Sequence, residues 1–202
     1  MSWSIKPAGA AYPNVLASLA AGGQFMLSDG ERIDTYARVI RWLNNRALVT
    51  GPGIDSAREA MGRGRSYGVF AVLGEPGPLR FQARTSSGRV LEMGDDGLAS
   101  GTTLLARMPD RPMAELGAQW TAADAQRAEL HALLWRTTAS GRALAAEWRD
   151  FSSQVELAAP GPGAYSLEIR LVPRHLDGLL ANAKALASTE HRWVLTNAIL
   201  LR

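Results

Sequence analysis

Residues 121–151 run TAADAQRAELHALLWRTTASGRALAAEWRDF and read as the longest helical stretch of the chain. Thr121 opens it, and Asp124 three residues on completes a capping box. Gly141 after Ser140 costs about 1 kcal/mol in a helix interior, so a kink or break is expected there. A helix of this length, set among shorter strand patterns, predicts an α+β protein in which amphipathic helices pack on a largely antiparallel sheet.

On the C-terminal side, Tyr165 to Val172 alternates apolar and polar residues as a strand does. Leu176, Leu179, Leu180, Ala183, Leu186 and Ala187 follow as a helical stripe, and Arg192 to Leu201 is strand again. The closing unit, 165–202, is therefore expected to be β-α-β, with the terminal strand built into a sheet. Leu167, Ile169 and Leu171 share one strand face, and Trp193, Leu195, Ile199 and Leu201 share another.

On the N-terminal side, Tyr67 to Leu73 is nearly continuous apolar, as in a buried strand. Leu79 to Thr85 sets Leu79, Phe81 and Ala83 against Arg80, Gln82 and Arg84, and Arg89 to Met93 follows Ser86-Ser87-Gly88. These predict a central antiparallel meander over 66–107, extended by Thr102 to Arg107. Upstream, the region 13–62 is expected to be helical. Ile33, Tyr36, Ala37, Ile40, Leu43 and Ala47 keep a 3.6 period from Glu31 to Ala47. Ser28 with Glu31 caps that helix, and a shorter one spans Ser56 to Met61. Residues 1–202 are expected to form a single domain.

Composition narrows the function. The 202 residues are 47% hydrophobic and 20% charged, with formal net charge +3, the balance of an ordinary globular chain. There is no Cys, which excludes disulfides, thiolate catalysis and Cys-ligated metals. His131, His175 and His191 stand apart from other ligands at metal spacing, so neither a metal site nor a catalytic residue is expected, and no cofactor. No apolar run reaches the roughly 18 residues of a membrane helix. Val15 to Gly22 is too short for a signal peptide and follows a single cation, Lys6. The expected location is the cytoplasm where the protein is made, and possible incorporation in a virion; no membrane partner is expected.

Cations are 20 Arg against 2 Lys. Arg binds phosphate and carboxylate in a bidentate fork, so Arg63, Arg65, Arg80 and Arg84, on and beside the meander, are the candidate phosphate or nucleic-acid contacts. GC-rich codon usage accounts for the same bias, because the chain is also rich in Ala and Gly.

Three short motifs carry resemblances. Gly62-Arg63-Gly64-Arg65-Ser66-Tyr67-Gly68 resembles the GxGRSYG loop of flavin-linked oxidases of the vanillyl-alcohol oxidase type, which implies backbone amides at Gly62, Gly64, Arg65 and Ser66 around an FAD pyrophosphate. The Asp that often follows is Val69 here, and the downstream glycine-rich region is missing. Arg65 to Val72 resembles the RNP1 strand of RNA-recognition modules, except that Tyr67 and Phe70, three apart, face opposite sides. Gly94-Asp95-Asp96-Gly97 resembles the metal-holding turn of RNA-dependent RNA polymerases, and is equally ordinary turn chemistry.

Six Trp are present. Trp42 lies beside the Ile33/Ile40/Leu43 stripe and Trp135 off the Leu130/Leu134 line, as aromatics on a second face do at protein interfaces. With no catalytic constellation, the expected function is non-enzymatic: a structural subunit of a large ordered assembly, partnered by itself or other subunits, such as a bacteriophage virion, tail or connector component from a high-GC host. A small Arg-rich nucleic-acid-binding protein is the alternative, and an enzyme with a flavin-type loop at 62–68 the next.

Overall fold

The computed structural model describes residues 6–7, 25–26, 43–77, 79–109, 111–113, 120–149 and 154–202. The chain divides into two compact units, Met1–Trp42 and Leu43–Arg202. In the first, Lys6–Pro7 (β1) pairs antiparallel with Phe25–Met26 (β2). The helix expected over 31–42, its Ser28 cap and Trp42 lie outside the described residues.

The second unit is built from strands. In chain order they are Asn44–Ala47 (β3), Ser66–Val69 (β4), Glu75–Pro76 (β5), Arg80–Arg84 (β6), Val90–Glu92 (β7), Asp96–Gly97 (β8) and Thr103–Arg107 (β9). Pro112–Met113 (β10), Glu129–Thr138 (β11), Gly141–Trp148 (β12), Gln154–Ala158 (β13), Gly163–Val172 (β14), His191–Thr196 (β15) and Ile199–Leu201 (β16) follow. Helix α1 spans Ile54–Gly62 and α2 only Ala122–Ala125.

The larger sheet has the order β12-β11-β14-β15-β4-β3, with β16 pairing both β14 and β8. A four-stranded sheet, β13-β9-β6-β7, lies over its inner face. Phe81, Ala83, Leu91, Leu104 and Ala106 from the small sheet meet Ala132, Leu134, Leu167, Ile169 and Trp193 from the large one in a single core. Two apolar faces closing on each other is the solution open to sheets with one hydrophobic side. Among the described residues the pairings are antiparallel except β16 with β8, so the antiparallel expectation holds, and these residues are far richer in strand than an α+β packing.

The long helix over 121–151 is corrected to one helical turn and a hairpin. The capping box does form: Thr121 Oγ1 accepts from the Asp124 amide at 3.2 Å and the Asp124 carboxylate accepts from the Thr121 amide at 2.8 Å. The helix then tightens into i to i+3 bonds at Gln126, Arg127 and Ala128 and stops. From Glu129 the chain is extended, with Ala132 and Leu134 buried in the core and His131, Leu133 and Trp135 on the other side. Gly141, expected to kink or break a helix, ends the hairpin turn at φ 122°, a conformation that suits glycine. Helix propensity spans under about 1 kcal/mol per ordinary residue, and pairing on both edges of β11 outweighs it.

Three further expectations change. Asn44–Ala47, the end of the predicted helix over 31–47, is strand β3. Tyr67–Leu73 yields β4 and then a 3-10 turn at Ala71–Leu73, and β4 joins the large sheet between β15 and β3. The expected meander is thereby reduced to the β6–β7 hairpin, and β9, expected to extend it, instead pairs with β6 on the side away from β7. The closing unit is not a β-α-β crossover. β15 runs antiparallel to β14 beside it, and the residues between them form 3-10 turns at Arg174–Leu176 and Ala181–Ser188. With three residues per turn the predicted stripe does not line up, and Leu186 is exposed while Ala187 is buried. The last strand is built into the sheet: Gly163 to Tyr165 pair with Leu201 to Ile199, and Leu201 also pairs Gly97.

Candidate functional site

The outer face of the large sheet carries a polar network. Register sets Leu133 opposite Glu168, His131 opposite Arg170 and Trp135 opposite Ser166, and alternation turns these residues away from the core face of Ala132, Leu134, Leu167 and Ile169. Glu168 is only 2% exposed and accepts four donors. Arg170 Nε at 2.7 Å and Arg192 Nε at 3.2 Å reach one oxygen, and Trp135 Nε1 at 3.1 Å and Arg142 Nη2 at 3.3 Å reach the other. Burial alone would push this carboxyl up, but the Arg170 hydrogen bond and the charges of Arg170, Arg192 and Arg142 outweigh it and hold Glu168 below the usual carboxylate range. The Arg142 guanidinium also lies 4.2 Å from the Trp135 ring centre, a cation–π contact.

The network continues through Glu190, which accepts from Arg170 Nη1 at 3.1 Å and faces His131 Nδ1 at 2.9 Å. Its carboxyl is likewise lowered, burial being outweighed by the bonds from His131 and Arg170. His131 Nε2 lies 3.3 Å from Glu147. A neutral imidazole donates through one nitrogen only, so both contacts are hydrogen bonds only in the imidazolium form. The result is a ladder of carboxylates and nitrogen donors running from β12 across β11 and β14 to Glu190, which stands just before β15. Chemically it is an anchor: every oxygen of Glu168 is occupied by donors that keep it ionised, which suits it to clamp strands and not to pass protons.

A second buried polar group is His175. Its Nε2 faces the Leu73 carbonyl at 3.1 Å, its ring meets Trp120 edge-on with centroids 4.7 Å apart, and among the described residues Nδ1 has no hydrogen-bond partner. Burial lowers its pKa, against the Leu73 carbonyl and Asp124, which raise it.

The arginines singled out from sequence fall into two neighbourhoods. Arg63 and Arg65 close α1. Arg63 pairs Glu59 at 2.9 Å, and Arg65 pairs Asp95 at 3.2 Å. Arg80 and Arg84 stand on the outer side of β6, where Arg84 reaches Glu156 at 3.5 Å and Arg80 faces Arg107 across the strands. The amides of Arg63, Gly64 and Arg65 bond the Glu59, Met61 and Ala60 carbonyls, so they cap a helix C-terminus, whose partial negative charge is the wrong pole for a phosphate. Asp95 is a turn residue, its carboxylate accepting from the Glu92 amide at 2.9 Å. Gly94 there has φ 84°, and a Cβ would stand 1.7 Å from the Arg63 carbonyl oxygen.

Among the described residues no group of three His, Asp or Glu side chains is placed to hold a metal, and no helix is long and apolar enough to cross a membrane. Trp135 does lie on a second face, for a reason other than the one expected: strand alternation, not helical offset. Sequence reasoning missed the Glu168 network because its bonded partners lie up to 59 residues apart. The one local sign was Glu168 and Arg170, two apart on the polar face of an otherwise apolar strand. Set against protein-family models, curated proteins and solved structures, the chain matches none of them.

Proposed function

We propose that the chain is a non-enzymatic structural subunit that works through protein–protein contact in a large ordered assembly, a bacteriophage virion, tail or connector being the setting expected from its sequence. One observation carries this reading. On the outer face Leu144 pairs across strands with Trp135, Arg142 stacks on the same indole, and Leu144 remains 45% exposed. A Trp and an Arg stacked together, held by an ion network, have the composition and rigidity of an interface hot spot, and the bare Leu beside them adds apolar area to cover. Sedimentation of the full chain over a range of concentrations tests it: growth into defined oligomers is expected, and a monomer at high concentration overturns it.

A second reading is contact with nucleic acid, favoured by Arg80 opposite Arg107. Both are exposed, and like charges facing each other across strands are destabilising unless an anion relieves them.

A further inference from the structure

The geometry points to β12 as the assembly edge, pairing antiparallel with β12 of a second copy of this chain about a two-fold axis between Leu144 and Ala145. The inference rests on the assembly reading above and names its interface.

β12 is the last strand on its side of the large sheet and, among the described residues, pairs only with β11. Within the same residues its backbone makes no bond outside that pairing. Gly141 to Leu144 and Glu147 are exposed. Such an edge is a row of unpaired amides and carbonyls, and natural proteins usually blunt it with prolines or lysines. Neither is present in GRALAAEW, whose centre is Ala143-Leu144-Ala145-Ala146.

A second copy is the occupant because the strand is complementary to itself. Register jumps from Leu134↔Ala146 to Trp135↔Leu144, so Ala145 is the extra residue of a bulge. In an unbulged strand, residues five apart point to opposite faces. The bulge instead puts Arg142 and Glu147 on the same face, where Arg142 reaches Glu168 and Glu147 reaches His131. Folded about the point between Leu144 and Ala145, the strand sets Arg142 opposite Glu147 of the other copy, twice, and Ala143 opposite Ala146. Arg142 and Glu147 side chains are 45% and 55% exposed, so each has room for a second partner. The interface is isologous, as two-fold symmetry requires. A bulge that bends an edge can discourage pairing; here it brings the opposite charges onto one face.

Because the chain has no cysteine, single introduced thiols report the register. Chains carrying Ala143→Cys and Ala146→Cys, mixed and mildly oxidised, should give the mixed disulfide in roughly tenfold excess over either self-linked product, since like positions are offset by roughly 10 Å along the strand, beyond disulfide reach. Leu144→Lys should abolish both the cross-link and sedimentation above monomer, with the melting temperature unchanged. If that variant melts early, Ala143→Lys, also at an exposed position, takes its place. Oligomers that survive Leu144→Lys without the mixed disulfide overturn the edge pairing and leave the assembly reading standing. A monomer at every concentration overturns both, and preferential self-linking of Ala143→Cys overturns the register.

Discussion

At its centre, strand β14 buries two neighbouring residues on opposite faces almost equally and by opposite means. Ile169 is 0% exposed and Glu168, its neighbour, 2%. The inner face is closed by apolar side chains of the small sheet, a nondirectional arrangement whose energy scales with area. The outer face is closed by Trp135, Arg142, Arg170 and Arg192, each bonded to one carboxylate. The inner face therefore depends on volume and the outer on completeness: losing one donor leaves a buried charge underserved, whereas losing one methyl leaves a small void.

The largest effect should come from breaking the inner face at its edge. Deleting 196–202 removes β16 with Ile199 and Leu201, both fully buried, at about 1.5 to 3 kcal/mol each. It also removes the Ala198 carbonyl that accepts from Gly94 at 2.7 Å. Against a total stability of about 5 to 15 kcal/mol, insoluble protein is expected, and a soluble product with an unchanged melting temperature refutes this role for β16. Next, Leu167→Ala should cost about 3 kcal/mol, as cavity-forming core substitutions do; denaturant unfolding measures it.

The outer face should yield somewhat less, because its arginines remain partly solvated. Glu168→Gln should cost about 2 kcal/mol, the scale of hydrogen bonds to a charged group, and the loss should shrink in acid. The sign follows from the lowered Glu168 and Glu190 carboxyls. Their stabilisation is complete above the ordinary carboxyl value of about 4.3 and is lost as pH falls through the lowered folded values. Melting temperatures of wild type and Glu168→Gln should therefore converge below that value. Parallel curves would mean that the carboxylate is not what closes this face.

A smaller, separate loss belongs to His175. Its folded pKa is depressed, so its contribution is complete above the ordinary histidine value of about 6.5 and falls away as pH drops below it. His175→Phe should flatten the melting curve between neutral and mildly acidic pH, leaving the carboxylate step in place. The smallest effect is on the nucleic-acid reading. Arg80→Ala with Arg107→Ala should lower the magnitude of the log-log salt slope for duplex DNA by about 0.9 for each phosphate no longer neutralised. No binding at low salt ends that reading.

How legible the two faces are in the sequence differs for the same reason. Phe81, Ala83, Leu167, Ile169, Leu171 and Trp193 can be picked as core because alternation is a local property of extended chain. The network cannot, since Glu168 meets Trp135, Arg142 and Arg192 only after four strands have been laid side by side. The tract 129–148 reads as helix in isolation because a nearly unbroken apolar run such as Leu130 to Trp135 has no period of its own. Its neighbours make it a strand: β14 on one side and β12 on the other.

By itself the sequence determined the antiparallel alternating strands, the capping box at Thr121 and Asp124, the turn at Gly94-Asp95, and the absence of thiol chemistry, all of which depend on residues within one turn or one pleat of each other. Tertiary structure alone decided that β4 leaves the meander for the large sheet, that 129–148 is a hairpin, that Glu168 is buried as an ion and that β12, among the described residues, is the end strand of the large sheet. Those outcomes depend on which strand lies next to which, and strand pairing is a sum over distant contacts that no single segment encodes.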